Sequence, residues 1–418
     1  MTTRRSVHPG NAFAAVWAAD AVSKLGSQVS LVALPLIALL QLHGSAFDVG
    51  WLGALGTGAF LIFGLPAGVV VDRMDRRRML IGCDLVRAGL LLSIPVAAWL
   101  GGLSLPQLGI VAFLTGSCTV LFDSAHQSFV PELVGDHALI TANSRLGMDS
   151  AVASGLGPAA AGWLVQLASA AGAVLLDAVS FMISAACLMC LPNKGKPDRS
   201  DNRGRLVPEL FDGLGRIWRD GVLRRIIMAG MAMALFDEMF ATVALIALAR
   251  LLPHRTGLLG TLLAVPGLGA IAVGKLGPGV VSRLGSVRAL RIGAAGSALG
   301  GLVAANLGGG DRLALFAAGA GCVAGGTVLF NVVSLTYRQR STPPHLRGRV
   351  NASARFACWG LIPLGALVGG LVATVDLRLA LWLAAVGKLL AVVPLLSSRL
   401  AGIDMAGRPR PLRAATPS

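Results

Sequence analysis

Gly68-Val-Val-Val-Asp72-Arg73-Met-Asp75-Arg76-Arg77-Arg78 is a charged turn set between two apolar runs, residues 47–71 and 79–100. A bilayer-spanning helix needs about 20 mainly apolar residues, and each run is long enough. The stretch therefore reads as a loop between two membrane spans, with its basic residues at one membrane face.

The same pattern extends in both directions. Twelve apolar stretches are expected to span, at about 12–40, 47–71, 79–100, 105–130, 139–167, 170–191, 223–251, 256–281, 289–308, 311–337, 350–374 and 376–400. Composition agrees: the 418 residues are 55% hydrophobic and 13% charged, with mean hydropathy +0.74. Soluble proteins average about 25% charged residues, so there is too little charge here to clothe soluble domains. An ordinary soluble enzyme is excluded, and so is a disordered chain. Barrel strands alternate apolar and polar residues, whereas Leu31–Leu40 and Leu258–Val273 are apolar all round. The first run, about 29 residues, exceeds the apolar core of a cleavable signal peptide.

Basic residues orient the chain. With twelve spans and the N-terminus inside, twenty-six Lys and Arg fall on inner segments and four on outer loops, Arg250, Arg255, Arg312 and Arg378. That asymmetry predicts a multi-pass membrane protein with both termini cytoplasmic. It also accounts for the net charge of +16 without a nucleic-acid partner, since basic loops sit beside anionic headgroups.

Pro192–Val222 is the longest polar stretch and separates six spans from six. The expected organisation is an N-terminal six-helix half over 1–191, a cytoplasmic linker over 192–222, a C-terminal half over 223–400 and a cytoplasmic tail over 401–418. Residues 193–205 read as a flexible linker. In Val207–Arg219, Leu210, Phe211, Leu214, Ile217 and Trp218 fall on one face, which predicts an amphipathic helix along the inner membrane surface. The halves echo each other: Asn143, Gly157 and Gly162 are each repeated 208 residues later as Asn351, Gly365 and Gly370. Arg73 and Arg283 differ by 210. Two parallel six-span repeats are a transporter architecture. Paired glycines such as Gly64 and Gly68, Gly296 and Gly300, Gly321 and Gly325, and Gly365 and Gly369 suit close helix packing.

The opening stretch resembles the signature loop of the major facilitator superfamily, Gly-x-x-x-Asp-Arg-x-Gly-Arg-Arg. Asp75 takes the place of the second glycine, as in the branch that holds enterobactin exporters and macrolide efflux proteins. Ser23-x-Leu25-Gly26, Asp84-Leu-Val-Arg87-Ala88, Phe129-Val-Pro131-Glu-Leu-Val134, Thr141-Ala-Asn143 and Leu346-Arg-Gly348-Arg349-Val-Asn351 are similar to that branch too. The resemblance implies an all-α membrane protein of twelve helices in two halves. It also implies a gating motif made of Gly68, Asp72, Arg73, Arg76, Arg77 and Arg78, with Asp72 engaging the inner end of span eleven near Arg349–Asn351. Gly155-Leu-Gly157-Pro158-Ala-Ala-Ala-Gly162 resembles the superfamily's exporter motif and implies export; a proline-kinked helix without directional meaning is the plainer reading. Exporters of the superfamily often carry a basic residue in span four, and 105–130 has none.

Charges inside spans are costly and mark function or structural pairing. Asp20 with Lys24 and Arg145 with Asp149 stand four apart, and Asp84 with Arg87 three apart, spacings at which charges can neutralise each other. Spans one and seven are equivalent in the repeat and line the cavity of this fold. Asp20, Lys24, Asp123, His126, Asp237 and Glu238 are therefore the candidates for proton coupling and cavity lining. No Walker loop, nucleophile elbow or metal-ligand spacing is found, and Cys187-x-x-Cys190 lacks a second ligand pair. The expectation is a non-enzymatic, cofactor-free and metal-free monomer: a proton-coupled exporter of a siderophore, antibiotic or other amphipathic secondary metabolite. Two alternatives stay open, an importer or facilitator of a small metabolite and a non-transporting membrane scaffold.

Overall fold

The computed structural model describes residues 9–64, 66–134, 139–190, 206–343 and 346–397. The first part of the linker, the tail, His137 and His345 lie outside the described residues, as do the side chains of Asp72, Glu132, Leu210 and Phe211.

Among the described residues the chain is helical, with no strand. The helices are α1 (Pro9–Leu36), α2 (Ala46–Phe63), α3 (Pro66–Arg73), α4 (Arg76–Trp99), α5 (Leu105–Val134), α6 (Leu139–Met189), α7 (Leu206–Arg219), α8 (Gly221–Leu251), α9 (Thr256–Leu284), α10 (Ser286–Ala304), α11 (Arg312–Ser341), α12 (Arg347–Trp359), α13 (Ile362–Val375) and α14 (Leu377–Gly387). A π-turn, Ile37–Gln41, ends α1, and 3₁₀ turns continue α14 through Leu396.

Eleven helical segments are long and apolar enough to cross a membrane. One of them, Thr141–Met189, has 49 residues, about 73 Å of rise and more than two hydrocarbon cores. Ser169, at φ 67° and ψ 164°, breaks it. The break falls between the two spans expected at 139–167 and 170–191, so twelve crossings result. Leu167 and Val375 are 79% and 81% exposed, which suits helices whose outer faces meet lipid rather than water.

Contacts divide the chain into two compact units. The first comprises Met1–Gly204, Thr242–Gly267 and Ala366–Leu377, and the second Arg205–Ala241, Leu268–Gly365 and Arg378–Ser418. In the first, α6 packs along α1 and α4, and α5 along α2 and α4. Its core joins Leu80, Phe122, Phe129, Val130 and Leu188. In the second, α10 packs on α11, and Ile226, Leu290, Phe330 and Leu395 form the main core.

The amphipathic helix forms as α7, and its apolar face has a protein neighbour. Ile217 is buried with Val350 and Ala354 of α12. A Cβ on Gly213 would lie 2.6 Å from the Arg349 carbonyl oxygen, so the two backbones touch there. Trp218 remains exposed.

Candidate transport site

The loop motif is built from helix ends. Asp75 is the N-cap of α4: its carboxylate accepts from the Arg78 amide at 3.0 Å. That is a local use for the acid standing in the glycine's place. Arg77 reaches the far end of the same unit, where its guanidinium donates to the Leu188 and Met189 carbonyls at 2.9 and 2.6 Å. Those carbonyls end α6 and have no partner within the helix, so a cation there meets both their hydrogen-bonding need and the helix dipole. Arg73 and Arg78 are exposed, and Arg76 is half-buried. Among the described residues, a Cβ added at Gly68 would find nothing within 4 Å.

The second unit repeats the Arg77 arrangement. Arg291 of α10 donates to the Leu395 and Ser397 carbonyls at 2.8 and 3.4 Å, at the end of the chain's last span.

The motif of Gly155, Gly157, Pro158 and Gly162 lies at a tight crossing inside the first unit. A Cβ on Gly162 would sit 2.6 Å from the Gly260 Cα of α9. A Cβ on Gly267 would collide with Gly155, and one on Gly157 would meet Gln28. Gln166 completes the crossing by accepting from the Gly257 amide at 2.7 Å, at the start of α9. A second crossing is its counterpart: a Cβ on Gly50 of α2 would sit 2.8 Å from the Gly370 Cα of α13. Gly260 follows Gly50 by 210 residues, and Gly370 follows Gly162 by 208. The repeat offset in the sequence thus reappears as a pair of equivalent backbone contacts.

Asp20, Lys24 and His126 come together in the first unit. Lys24 Nζ lies 2.6 Å from Asp20 Oδ2 and donates to Ser150 Oγ at 2.8 Å. His126 Nε2 lies 3.9 Å from Asp20 Oδ1, and its ring stacks on Phe122. Asp123 is on an exposed face of α5. The Asp84–Arg87 pair also forms, at 2.5 Å, with Ser184 donating to Asp84 and with Arg87 held between the Phe122 and Phe181 rings. The Arg145–Asp149 pair does not form among the described residues; Arg145 lies over Trp17 instead, 5.9 Å from the ring centre. One buried acid went unselected: Asp177 accepts from the hydroxyls of Ser30 and Ser180.

The second unit holds a cavity of about 380 Å³, lined by α8, α11 and α12 and by Ile362 at the start of α13. Asp237 and Glu238 both line it. Asp237 is not free: its carboxylate lies 2.5 Å from Lys388 Nζ and accepts from Thr327 Oγ1 at 2.9 Å. Lys388 is 1% exposed, with its ammonium 4.9 Å from the Phe240 ring centre. Glu238 makes no hydrogen bond or ion pair among the described residues. Thr327 and Ser334 add hydroxyls to the lining, which Asn331, Arg338, Arg355 and Trp359 also share. Arg355 and Lys388 are visible in the sequence as charges within spans but are not among its site candidates, and Asn331, Arg338 and Trp359 are not singled out there. Only their convergence from separate helices marks them. Among the described residues no group of His, Cys, Asp and Glu could hold a metal ion.

Comparison with known proteins places this architecture. The Major Facilitator Superfamily profile matches residues 16–363. The chain is 28% identical to the multidrug efflux pump Tap of Mycolicibacterium fortuitum over 211 residues, 48% of this chain and 50% of Tap. Identity to macrolide efflux protein A of Streptococcus pyogenes is 24% over 220 residues, 52% of this chain and 54% of that protein. The chain thus matches about half the length of these two relatives. An uncharacterized MFS-type transporter of Sinorhizobium fredii, y4rN, is 28% identical over 91% of this chain and 93% of its own. Among solved structures, the nucleoside transporter NupG superposes with a TM-score of 0.76 at 12% identity, covering 94% of this chain and all of NupG. A bacterial homologue of the iron transporter ferroportin, inward-facing, gives 0.72 at 17% identity over 92% of this chain and 98% of its own. Such identities speak for the fold alone. Helices, repeat and profile agree: the chain belongs to the major facilitator superfamily and is a multi-span membrane protein.

Proposed function

We propose that this protein is a proton-coupled exporter of an amphipathic secondary metabolite, such as a siderophore or an antibiotic. The observation that carries the reading is Glu238, a carboxylate in the cavity wall with neither a hydrogen bond nor a counter-charge among the described residues, beside a neighbour that has both. A charge in a poorly solvated wall is relieved by a proton or by a cationic ligand. One site that takes either, but not both, exchanges a proton entering the cell for a substrate leaving it. Asp237, held by Lys388 and Thr327, is the structural partner in this scheme. The Asp20–Lys24–His126 cluster is a second titratable group for the same cycle.

The efflux proteins among the relatives support export, as does the crossing at Gly155–Gly162. The rest of the proposal follows the charge pattern: both termini cytoplasmic, halves over 1–191 and 223–400 joined by the linker 192–222, and a working monomer in a bacterial cytoplasmic membrane. Asp72 gates through the start of α12.

Everted vesicles from cells lacking other pumps test the reading. Radiolabelled erythromycin should accumulate when the lumen is acidified, and a protonophore should abolish this. Glu238→Gln should lose the dependence on the gradient. Accumulation of equal size with and without a gradient would sink proton coupling. Accumulation only in right-side-out vesicles would favour import.

A further inference from the structure

The last turn of α7 carries a basic patch that the protein itself does not use. Arg216 and Arg219 stand three apart, so they are neighbours on the helix surface. Both are exposed, and neither makes a hydrogen bond or ion pair among the described residues. Trp218 lies between them in sequence and is exposed too. Two nearby acids are engaged elsewhere. Asp212 lies 3.5 Å from Arg349 of α12, and Asp220 accepts from the Val222 and Leu223 amides at 3.0 and 3.1 Å.

The patch sits where a membrane span begins. Asp220 alone separates α7 from α8. With 31 residues, α8 rises about 46 Å, against about 30 Å for a hydrocarbon core. Arg224 and Arg225 near its start and Arg250 at its end mark both ends as polar. The start of α8 therefore stands in a headgroup layer, and the last turn of α7 adjoins it. The apolar face of α7 is not free to enter lipid, because Ile217 is buried with Val350 and Ala354 of α12. What α7 offers a bilayer is two guanidinium groups and an indole ring, side chains that suit phosphate and the membrane interface.

From this placement we infer that the exposed face of α7 is a binding site for the headgroup of an anionic phospholipid. The phosphate lies between Arg216 and Arg219, and Trp218 reaches the interface beside it. Charge complementarity selects this occupant. The longer segments of the chain outside the described residues are themselves basic: residues 1–8 hold two Arg and no acid, 191–205 five Lys or Arg and two Asp, and 398–418 four Arg and one Asp. A zwitterionic headgroup would bring an ammonium group toward the guanidinium groups, whereas an anionic one does not. With a lipid on one face and α12 on the other, α7 has a partner on both sides. The site is separate from the second-unit cavity, and the inference does not depend on export or proton coupling.

The purified full-length protein tests it without a transport assay. A ligand that binds the folded state raises the melting temperature. Phosphatidylglycerol added to detergent micelles should raise it by several degrees, while phosphatidylcholine and soluble glycerol 3-phosphate should not. The double variant Arg216→Gln with Arg219→Gln should lose the rise. Arg283→Gln with Arg288→Gln removes the same charge from another exposed corner and should keep it. In bilayers, lipids brominated on the upper acyl chain quench nearby indole rings, and the fluorescence removed by Trp218→Phe isolates the signal at α7. That signal should report a preference for brominated phosphatidylglycerol over brominated phosphatidylcholine of about fivefold per arginine, about 25-fold in all. The preference should fall to near one in the Arg216 and Arg219 double variant. The wild-type comparison of lipids stands even if the double variant fails to fold. Equal effects of the two lipids would overturn the inference. So would an equal loss in the Arg283 and Arg288 control, which would mean diffuse attraction, or an equal rise with glycerol 3-phosphate, which would mean a site for free phosphate.

Discussion

Lys388 Nζ lies 2.5 Å from Asp237 Oδ1, although the two residues are 151 positions apart and sit on helices from the start and the end of the second unit. With Lys388 only 1% exposed, neither charge has another route to neutrality as good as its partner.

Removing one member of such a pair strands the other, at a cost of about 3–5 kcal/mol. Asp237→Asn and Lys388→Met should each lower the melting temperature of the detergent-solubilised protein sharply. The double variant Asp237→Leu with Lys388→Met should recover most of the loss. A double variant as unstable as the sum of the singles would show that the pair is not the reason.

Two neighbouring acids in the loop should separate by readout. Asp75→Ala removes an N-cap, worth about 0.5–2 kcal/mol, and should appear as lower thermal stability. Asp72→Asn should leave membrane expression and melting unchanged while cutting erythromycin transport strongly. Full transport in Asp72→Asn would refute its gating role.

Arg77 and Arg291 do equivalent work at the ends of α6 and of the last span. Charged hydrogen bonds of this kind contribute about 1.5–3 kcal/mol. Arg77→Gln and Arg291→Gln should therefore destabilise by similar amounts in thermal unfolding. No change in either would mean that water replaces the guanidinium without loss.

The glycine crossings leave no room for side chains. Gly260→Val and Gly50→Val overpack equivalent contacts, and overpacking costs about 1–3 kcal/mol. Both should reduce erythromycin transport by about tenfold or more, with protein still in the membrane by size-exclusion fluorescence. If one of the pair transports normally, the two crossings are not functional equivalents.

What could be read from the sequence was what lies close along the chain. Asp20 with Lys24 and Asp84 with Arg87 were visible because helical spacing places such residues together. The same rule misled for Arg145 and Asp149, where the Trp17 ring offered Arg145 another neighbour. Asp237 with Lys388 was invisible, since no spacing rule spans 151 residues. The repeat offset exposed Gly162 and Gly370 but not Gly260 and Gly50, because a glycine's partner is set by helix crossing rather than by pattern. Arg77 read as one of several basic anchors of topology, and only the carbonyls of Leu188 and Met189 give it a particular task. The superfamily was legible early, because a charged turn between apolar spans is a local feature.

The two crossings, Gly50 with Gly370 and Gly162 with Gly260, join backbone to backbone without any charge. Salt and acidity, which act on the ion pairs, have nothing to grip there. Attraction of this kind depends on how closely the helices are pressed together. The thickness and acyl-chain order of the surrounding membrane, not the composition of the water on either side, therefore set how readily these helices part.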